Sequence, residues 1–457
     1  MSDIHVVVLA AGKGTRMKSA LPKVLHMAGG RSLIDHALLT AASLGPASIV
    51  VVVGYEADLL RNALEKRPGL ALAVQEPQLG TGHALLQAEP LLRGAQGTLV
   101  LLSGDVPLLR ADTLAALVAK HQTRKAAATV LTAVVPAPDG YGRIVREEDQ
   151  IASIVEHKDA SSVEREIGEI NSGVYAFDIA PLFDALREIG SSNAQGEYYL
   201  PDLVKIYRSR GLTVETVTLE DPREILGVNS RKELAAVASI LRASKNDELM
   251  AAGVTLVDPA SIFIGPDVTI GIDTVIQPGV YLEGSTRIGA RCLIHSGVRL
   301  VNSVVDDGAI INNFCVIIDS HVSRDARVGP FAHLRPHSDV GVEARVGNFV
   351  ELKKTTLGRG SKAQHLSYLG DATIGEKVNI GAGTITCNYD GTAKHPTVIE
   401  DGAFIGSDTQ LIAPVRIGKG AYIGAGSSIT SDVPADALAI ARGTQVNKPG
   451  WAAKRRK

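Results

Sequence analysis

The chain contains few of the residues that mark several classes of protein. Only three of its 457 residues are cysteine, and their wide spacing argues against a disulfide framework and suits a reducing cytosol. No apolar run approaches the roughly 20 residues that a membrane span needs. The N-terminal segment MSDIHVVVLAAG has an acidic residue and only a short apolar run, which indicates a buried strand and not a signal peptide. We therefore expect a cytoplasmic protein without a membrane span.

The net charge of the chain is also small, and aromatic residues are scarce. The net charge of −2 gives the chain no general attraction to nucleic acid or to acidic membranes. We interpret the four basic residues at 454–457 as a solvated terminus, because the run is short. Aromatic residues make up only 4% of the chain, which fits a core filled by aliphatic side chains. The length is enough for two or three domains, each with its own core.

Aliphatic residues recur at every sixth position in the second half of the chain. One series runs from Ile264 to Leu300, a second from Val304 through Ile310 and Val316 to Leu352, and a third covers 399–429. This period is too long for strand alternation and too regular for a helix. It is typical of a parallel β-helix, in which three hexapeptides close one triangular coil with the aliphatic residue pointing inward. We predict a left-handed parallel β-helix of hexapeptide repeats.

The first half of the chain has a different pattern. Apolar runs at 6–10, 49–53, 70–74 and 98–102 look like strands buried on both faces, with helical stretches such as Ser32–Leu44 between them. This alternation indicates a mostly parallel, doubly wound (Rossmann-like) α/β sheet. In such sheets, ligands bind at the carboxyl ends of the strands.

The pattern changes near residue 229. Ser230 followed by Glu233 is a capping-box signature, and apolar residues then repeat at helical spacing. We predict an α/β domain at 1–230, a connecting helix at 231–251 and a β-helix domain at 252–457.

The first strand ends in LAAGKGTRM, followed by a Pro-Lys pair that contains Lys23. Glycines let backbone N–H groups approach phosphate oxygens, and Arg16 and Lys23 can neutralise those oxygens. A dinucleotide fingerprint would need a third glycine where the chain has Met17, and a Walker A loop would need Ser or Thr where it has Gly14. An ordinary glycine turn is the alternative, and the two cations favour phosphate binding.

Further motifs follow other strands of the first half. Asp105 comes just past a buried strand, where a carboxylate can bind magnesium beside phosphates, although a turn or capping aspartate has the same pattern. Gln75 precedes the loop LGTG, and the segments GYGRI, VEHK, INSG and GVNS come later. We expect all of them near the carboxyl edge of the sheet.

The six-residue register predicts a second site on the β-helix. Arg335 and Lys353 each follow an inward residue one coil apart, so they should stack about 4.8 Å apart. Two unpaired cations that close repel each other unless an anion such as a sugar phosphate lies beside them. Glu351 and Tyr368 should also stack, next to the cations. His365 lies close by, and a carboxylate beside it could orient it as a general base, whereas a lone surface histidine would be merely solvated.

These motifs resemble the sugar-nucleotide pyrophosphorylase family. With the hexapeptide half included, the whole chain resembles the bacterial family that combines N-acetylglucosamine-1-phosphate uridyltransferase with glucosamine-1-phosphate acetyltransferase. The resemblance implies that acetyl-CoA first acetylates glucosamine-1-phosphate, and that the N-acetylglucosamine-1-phosphate formed then reacts with UTP to give UDP-N-acetylglucosamine and pyrophosphate. It also implies a homotrimer.

For the uridylyl site, the resemblance implies that Arg16 and Lys23 stabilise the phosphate charge and that Asp105 and Asn229 bind Mg²⁺. It assigns the nucleotide to Leu9, Ala10, Ala11, Gly12, Gln75, Gly80, Thr81, Ser103 and Gly104, and the sugar to Gly142, Glu156 and Asn171.

For the acetyl site, it implies that Arg335 and Lys353 hold the sugar phosphate and that His365 deprotonates the amine. Tyr368 and Asn379 would contact the sugar, with Glu351 beside them. The acetyl-CoA groove would contain Ala382, Asn388, Tyr389, Ser407, Ala425 and Arg442.

Two other functions fit parts of the pattern. One is a nucleotidyltransferase whose β-helix only oligomerises, but a structural helix has no need of the polar cluster around His365. The other is a β-helical scaffold or ice-binding surface, which would need flat repeated polar rows that the chain lacks.

Overall fold

The computed structural model describes residues 3–65 and 67–456. The chain folds as two compact units, Met1–Leu241 and Arg242–Lys457. In the described part of the chain, no helix combines the length and apolar character needed to cross a membrane.

The first unit contains a nine-stranded sheet flanked by helices. Its strands, together with a short β2–β3 ribbon outside the sheet, are β1 Ile4–Ala10, β2 Met27–Ala28, β3 Arg31–Ser32, β4 Ser48–Val53, β5 Leu70–Val74, β6 Thr98–Ser103, β7 Ala128–Val134, β8 Arg143–Glu147, β9 Gln150–Val155, β10 Glu169–Asp178 and β11 Val214–Thr218. Its helices are α1 Leu33–Ala42, α2 Ala57–Leu64, α3 Thr81–Leu86, α4 Ala111–Arg124, α5 Ser162–Arg165, α6 Ile179–Leu186 and α7 Leu203–Ser209, and α8 Arg231–Ala251 begins in this unit.

The sheet has the order β11-β7-β10-β6-β1-β4-β5, and β8 and β9 extend from β10. The strands β6, β1, β4 and β5 are parallel, whereas β10 runs antiparallel to β6 and β7. Val6, Val7 and Val8 of β1 are fully buried, as expected for a strand covered on both faces. The predicted α/β architecture is confirmed.

The second unit is a left-handed parallel β-helix with three faces, again as predicted. The first face consists of Thr255–Leu256, Val275–Ile276, Leu293–Ile294, Ile310–Ile311, Arg327–Val328, Arg345–Asn348, Lys362–His365, Asn379–Ile380, Phe404–Ile405, Tyr422–Ile423 and Leu438–Ala439. The second consists of Phe263–Ile264, Tyr281–Glu283, Arg299–Val301, Val316–Ile318, His333–Leu334, Glu351–Lys353, Tyr368–Gly370, Ile385–Cys387, Gln410–Ile412 and Ser428–Ile429. The third consists of Thr269–Ile270, Arg287–Ile288, Val304–Val305, His321–Val322, Asp339–Val340, Thr356–Leu357, Ala372–Ile374, Thr397–Ile399 and Val415–Ile417. A short helix, α9 (Trp451–Arg455), follows.

The predicted inward register is wrong for one coil. Val304 is 40% exposed, and the buried residues of this coil are Val305, Ile311 and Ile317 in place of Val304, Ile310 and Val316. The corner after Leu300 is one residue short, so the next inward residue follows after five positions. Both members of each pair are aliphatic, and periodicity alone could not choose between them.

The predicted connecting helix corresponds to α8, which crosses the division between the two units. The assignment of 1–230 and 252–457 as separate domains with 231–251 between them stays a prediction.

Candidate active sites

The carboxyl ends of β1, β5 and β6 meet at one edge of the first unit's sheet, as the parallel register requires. A pocket lies at this edge. It contains six of the residues predicted from sequence, which are Leu9, Thr81, Ser103, Gly142, Glu156 and Asn171.

Lys23, Asp105 and Asn229 converge near this edge although they are far apart in sequence. The Lys23 ammonium pairs with the Asp105 carboxylate and donates to Asn229 Oδ1 at 3.0 Å. The N–H of Val228 donates to the carbonyl of Asp105 at 3.0 Å, and the N–H of Asn229 donates to Glu233 Oε2 at 2.7 Å. These bonds at the start of α8 hold Asn229 beside Asp105, the two predicted metal ligands.

The donor set fits a hard divalent cation. A carboxylate oxygen and an amide oxygen already face one cationic group, the Lys23 ammonium. Two protein oxygens completed by phosphate oxygens and water are the usual surroundings of Mg²⁺ at nucleotide sites. Among the described residues, no group of three or more His, Cys, Asp or Glu side chains has the geometry to hold a metal ion, so the candidate site has only these two protein oxygens.

The phosphate loop after β1 makes a close contact with Lys23. Gly14 has a positive φ of 56°, and a Cβ there would lie 2.7 Å from Lys23 Cβ, so glycine is required. Arg16 lies in the following turn, Thr15–Met17, with its side chain exposed. The structure therefore brings Lys23, but not the exposed Arg16, against the two predicted metal ligands.

The glycine loop before α3 is fixed by a segment that sequence reasoning missed. Gly80 has φ 107°, and a Cβ there would lie 2.7 Å from the carbonyl oxygen of Tyr198. The N–H of Gly82 donates to this same oxygen at 2.9 Å. Gln75 is 3% exposed and donates from Nε2 to the Gly80 carbonyl at 3.0 Å. Gln75 thus supports the loop from behind.

The side of the pocket predicted to hold the sugar contains a carboxyl group with a shifted pKa. Burial raises the pKa of Glu156, and the nearby Asp159, Asp202 and Glu197 raise it further. The N–H of Asn171 donates to the carbonyl of Gly142 at 2.9 Å, which ties two predicted sugar contacts together.

Arg143 is a second residue that sequence reasoning missed. Its guanidinium is fully buried and donates from Nη1 to the carbonyl of Tyr141, next to Gly142. The sequence motif GYGRI contains Arg143, but the motif does not show that this arginine is buried. Its support of the loop could therefore not be predicted.

On the β-helix, the predicted stacking is confirmed. Leu334 pairs with Leu352, so Arg335 and Lys353 follow on adjacent coils, and Glu351 pairs directly with Tyr368. The expectation of two unpaired cations is wrong, because Arg335 Nη1 lies 3.0 Å from Glu351 Oε1.

Lys353 has a cationic neighbour that the sequence did not indicate. A side-chain contact with Lys353 and its charge lower the pKa of Lys394. Lys394 lies in a loop that leaves the coil after Cys387 and returns at Thr397. The strand Ile385–Cys387 continues the second face, so the loop begins only at Asn388. Asn388, which begins the loop, donates to Asp371 Oδ2, and the neighbouring Tyr389 is 60% exposed.

His365 lies at the corner between the first and second faces. Its Nδ1 is 2.9 Å from Asn348 Oδ1, and the two residues pair in register. The predicted carboxylate partner is therefore wrong, because Glu351 contacts Arg335 instead.

Four predicted acetyl-site residues share this corner on successive coils. Ala363 pairs with Ile380, Ile380 with Ile405, and Ile405 with Ile423, and each predicted residue lies two positions after one of these. These residues are His365, Ala382, Ser407 and Ala425. Arg442 extends the row, since its Nη1 donates to the carbonyl of Ala425 at 2.6 Å.

Asn379 lies elsewhere in the same chain. It is on the first face, between Lys362 and Phe404, whereas Tyr368 is on the second face. A single chain does not bring these two predicted sugar contacts together on one face.

An α/β unit with phosphate-loop and metal-ligand motifs, joined to a hexapeptide β-helix with a histidine at one corner, defines a two-part transferase. Residues 6–165 match the MobA-like NTP transferase domain, and residues 396–431 match six repeats of the bacterial transferase hexapeptide.

Curated relatives match the whole chain. The Bifunctional protein GlmU of Exiguobacterium sp. is 51% identical over 97% of this chain and 98% of its own length. Those of Brevibacillus brevis and Pelobacter propionicus are 52% and 49% identical, over 99% and 100% of this chain and 98% and 100% of their own lengths. The chain belongs to the family of bifunctional GlmU proteins.

As predicted, the chain is a bifunctional enzyme of UDP-N-acetylglucosamine synthesis. It combines a nucleotidyltransferase with an acyltransferase. Its nucleotidyltransferase family implies a divalent metal requirement.

Proposed function

We propose that uridylyl transfer occurs at the carboxyl edge of the first unit's sheet. Leu9–Gly12, Gln75, Gly80, Thr81, Ser103 and Gly104 would form the nucleotide side, and Gly142, Glu156 and Asn171 the sugar side. Mg²⁺ would be held by Asp105 and Asn229, and when bound it would neutralise charge on the UTP phosphates.

The protein's own part in this step is positioning and charge neutralisation. A phosphate oxygen of N-acetylglucosamine-1-phosphate attacks the α-phosphate of UTP in line, and pyrophosphate leaves. Lys23 would move from the Asp105 carboxylate to the phosphates, and the exposed Arg16 would close on them from the loop. The pairing of Lys23 with Asp105 and Asn229 supports this assignment.

The second unit would carry acetyl transfer. His365 accepts a proton from the amine of glucosamine-1-phosphate as the nitrogen attacks the thioester carbonyl of acetyl-CoA, and CoA leaves. Arg335 and Lys353 would hold the sugar phosphate. The row formed by His365, Ala382, Ser407, Ala425 and Arg442 supports an acetyl-CoA groove along this corner, with Asn388 and Tyr389 beside it.

A homotrimer with parallel β-helix axes would complete the acetyl site. Tyr368 and Asn379 lie on different faces of one chain, and a second copy that supplies one of them would let both contact one sugar. We also propose a cytoplasmic location, for which the free state of Cys292, Cys315 and Cys387 is suitable.

Two observations carry the proposal. Asp105 and Asn229 both contact the ammonium of Lys23 in the first unit, and the row of residues from His365 to Arg442 lies along one corner of the second unit. The test uses purified protein with Mg²⁺, acetyl-CoA and glucosamine-1-phosphate. Free CoA should appear without UTP, and pyrophosphate only after UTP is added. Release of pyrophosphate without any release of CoA would overturn the acetyl-site assignment.

A further inference from the structure

The contact between His365 and Asn348 defines the state of the imidazole. The side-chain oxygen of Asn348 can only accept a hydrogen bond, and it lies 2.9 Å from Nδ1 of His365. With Oδ1 of Asn348 facing the ring, the hydrogen of the neutral imidazole belongs on Nδ1. The other nitrogen, Nε2, keeps a free lone pair.

We propose that Asn348 is a positioning residue for acetyl transfer, which holds His365 in the tautomer that can take a proton at Nε2. This inference rests on the proposed role of His365 as general base. The partner of a catalytic histidine fixes both its ring orientation and its tautomer, and the loss of either slows proton transfer.

The backbone prepares this contact before any ligand binds. Val346 pairs with Ala363, so Asn348 and His365 leave the same corner on adjacent coils. Each is followed by a residue with a positive φ, 56° at Phe349 and 47° at Leu366. The two side chains therefore start from equivalent backbone positions about 4.8 Å apart, the spacing of neighbouring strands.

A second bond fixes the histidine backbone. The hydroxyl of Ser367 donates to the carbonyl of His365 at 2.9 Å. The carboxylate that could have competed for the ring, Glu351, is paired with Arg335. An uncharged amide thus orients His365.

The test compares three variants at Asn348 with two control variants of the full chain, in a CoA-release assay at saturating substrates. Asn348→Leu should lower kcat by about 10- to 100-fold, a part of the 10²–10⁴-fold that a positioned base supplies. The KM values for acetyl-CoA and glucosamine-1-phosphate should change by less than about twofold, because Asn348 orients the base and does not hold substrate. Asn348→Ala gives the same test with a smaller side chain.

Asn348→Asp tests whether the side chain at position 348 acts by accepting a hydrogen bond from His365 or only by filling space. A carboxylate can only accept from Nδ1, so this variant should keep most of the wild-type kcat. If Asn348→Asp is as slow as Asn348→Leu, the acceptor role is wrong.

Asn313 provides the matched control. It is two coils away at the same corner and also precedes a positive-φ residue, Phe314. Asn313→Leu should leave kcat unchanged. If Asn348→Leu also keeps full kcat, or raises KM alone, the positioning role fails. Full acetyl transfer by His365→Ala would instead overturn the proposed base itself, which distinguishes the two failures.

Discussion

The ammonium of Lys23 lies 3.0 Å from Oδ1 of Asn229, two residues that are 206 positions apart in the chain. The same ammonium pairs with the Asp105 carboxylate. In this arrangement a lysine contacts the two oxygens that we propose as Mg²⁺ ligands, and a bound metal ion with its nucleotide would take its place.

Asn229→Ala should therefore raise the Mg²⁺ concentration that gives half-maximal uridylyl transfer. The variant loses one of two protein oxygens, so the shift should be at least about 10-fold, the lower end of the effect of weakening a ligand's support. Pyrophosphate release measured across a Mg²⁺ titration gives this value. Acetyl transfer is the internal control and should be unchanged, and an unaltered Mg²⁺ requirement would remove Asn229 from the metal site.

Glu156→Gln should separate stability from sugar binding. The raised pKa of Glu156 means that folding disfavours its charged form, so the carboxylate costs stability above this pKa, and the cost disappears as the pH falls through it. The neutral amide should thus raise the melting temperature of the ligand-free protein at pH 8. It should also raise the KM for N-acetylglucosamine-1-phosphate, because an acceptor is replaced by a donor.

Calorimetry at pH 8 and at pH 5 checks the sign of this effect. The stability gain of Glu156→Gln should shrink at the lower pH, where the wild-type carboxyl is closer to neutral. A gain that grows toward low pH would contradict the assigned shift.

Gly80→Ala should impair the nucleotide side of the pocket. The new Cβ would meet the carbonyl oxygen of Tyr198 at 2.7 Å on a backbone with φ 107°. The free energy of unfolding should fall by roughly 1–3 kcal/mol, the usual cost of overpacking, and the KM for UTP should rise. Gly94 has φ 81° with nothing within 4 Å, so Gly94→Ala reports the backbone strain without the clash. Equal losses in the two variants would exclude a role for the contact with Tyr198.

Lys353→Ala should weaken binding of the sugar phosphate. Loss of a hydrogen bond from a charged group, about 1.5–3 kcal/mol, should raise the KM for glucosamine-1-phosphate by about 10-fold or more. The pKa of Lys394 should return toward its ordinary value, since Lys353 is the main cause of its decrease. Arg359 is an exposed cation of the β-helix that is paired with Glu343, and Arg359→Ala is the control that should leave KM unchanged.

Periodicity predicted most of the fold, because each inward residue of the β-helix is set by its neighbours one coil away. The predicted strands at 6–10, 49–53, 70–74 and 98–102 lie within β1, β4, β5 and β6. The error at Val304 arose where a corner lost one residue and two adjacent positions were both aliphatic. Sequence spacing alone cannot tell which of two adjacent aliphatic residues points into the core.

The site was predictable only where register determines it. Stacking of Glu351 with Tyr368 followed from counting residues, whereas the partners of individual side chains did not. The carboxylate of Glu351, which was expected to orient His365, pairs with Arg335 instead. The side chain of Asn348 contacts His365 in its place. Arg143 and Tyr198 support the first site through burial and backbone contacts that no motif records.

The most direct test of two separate active sites measures both reactions in two single variants. His365→Ala should abolish CoA release and keep pyrophosphate release near wild type, because its side chain lies only on the β-helix. Asp105→Ala should do the reverse by losing the metal ligand. If either variant, folded by circular dichroism, loses both activities, the assignment of one reaction to each unit is contradicted.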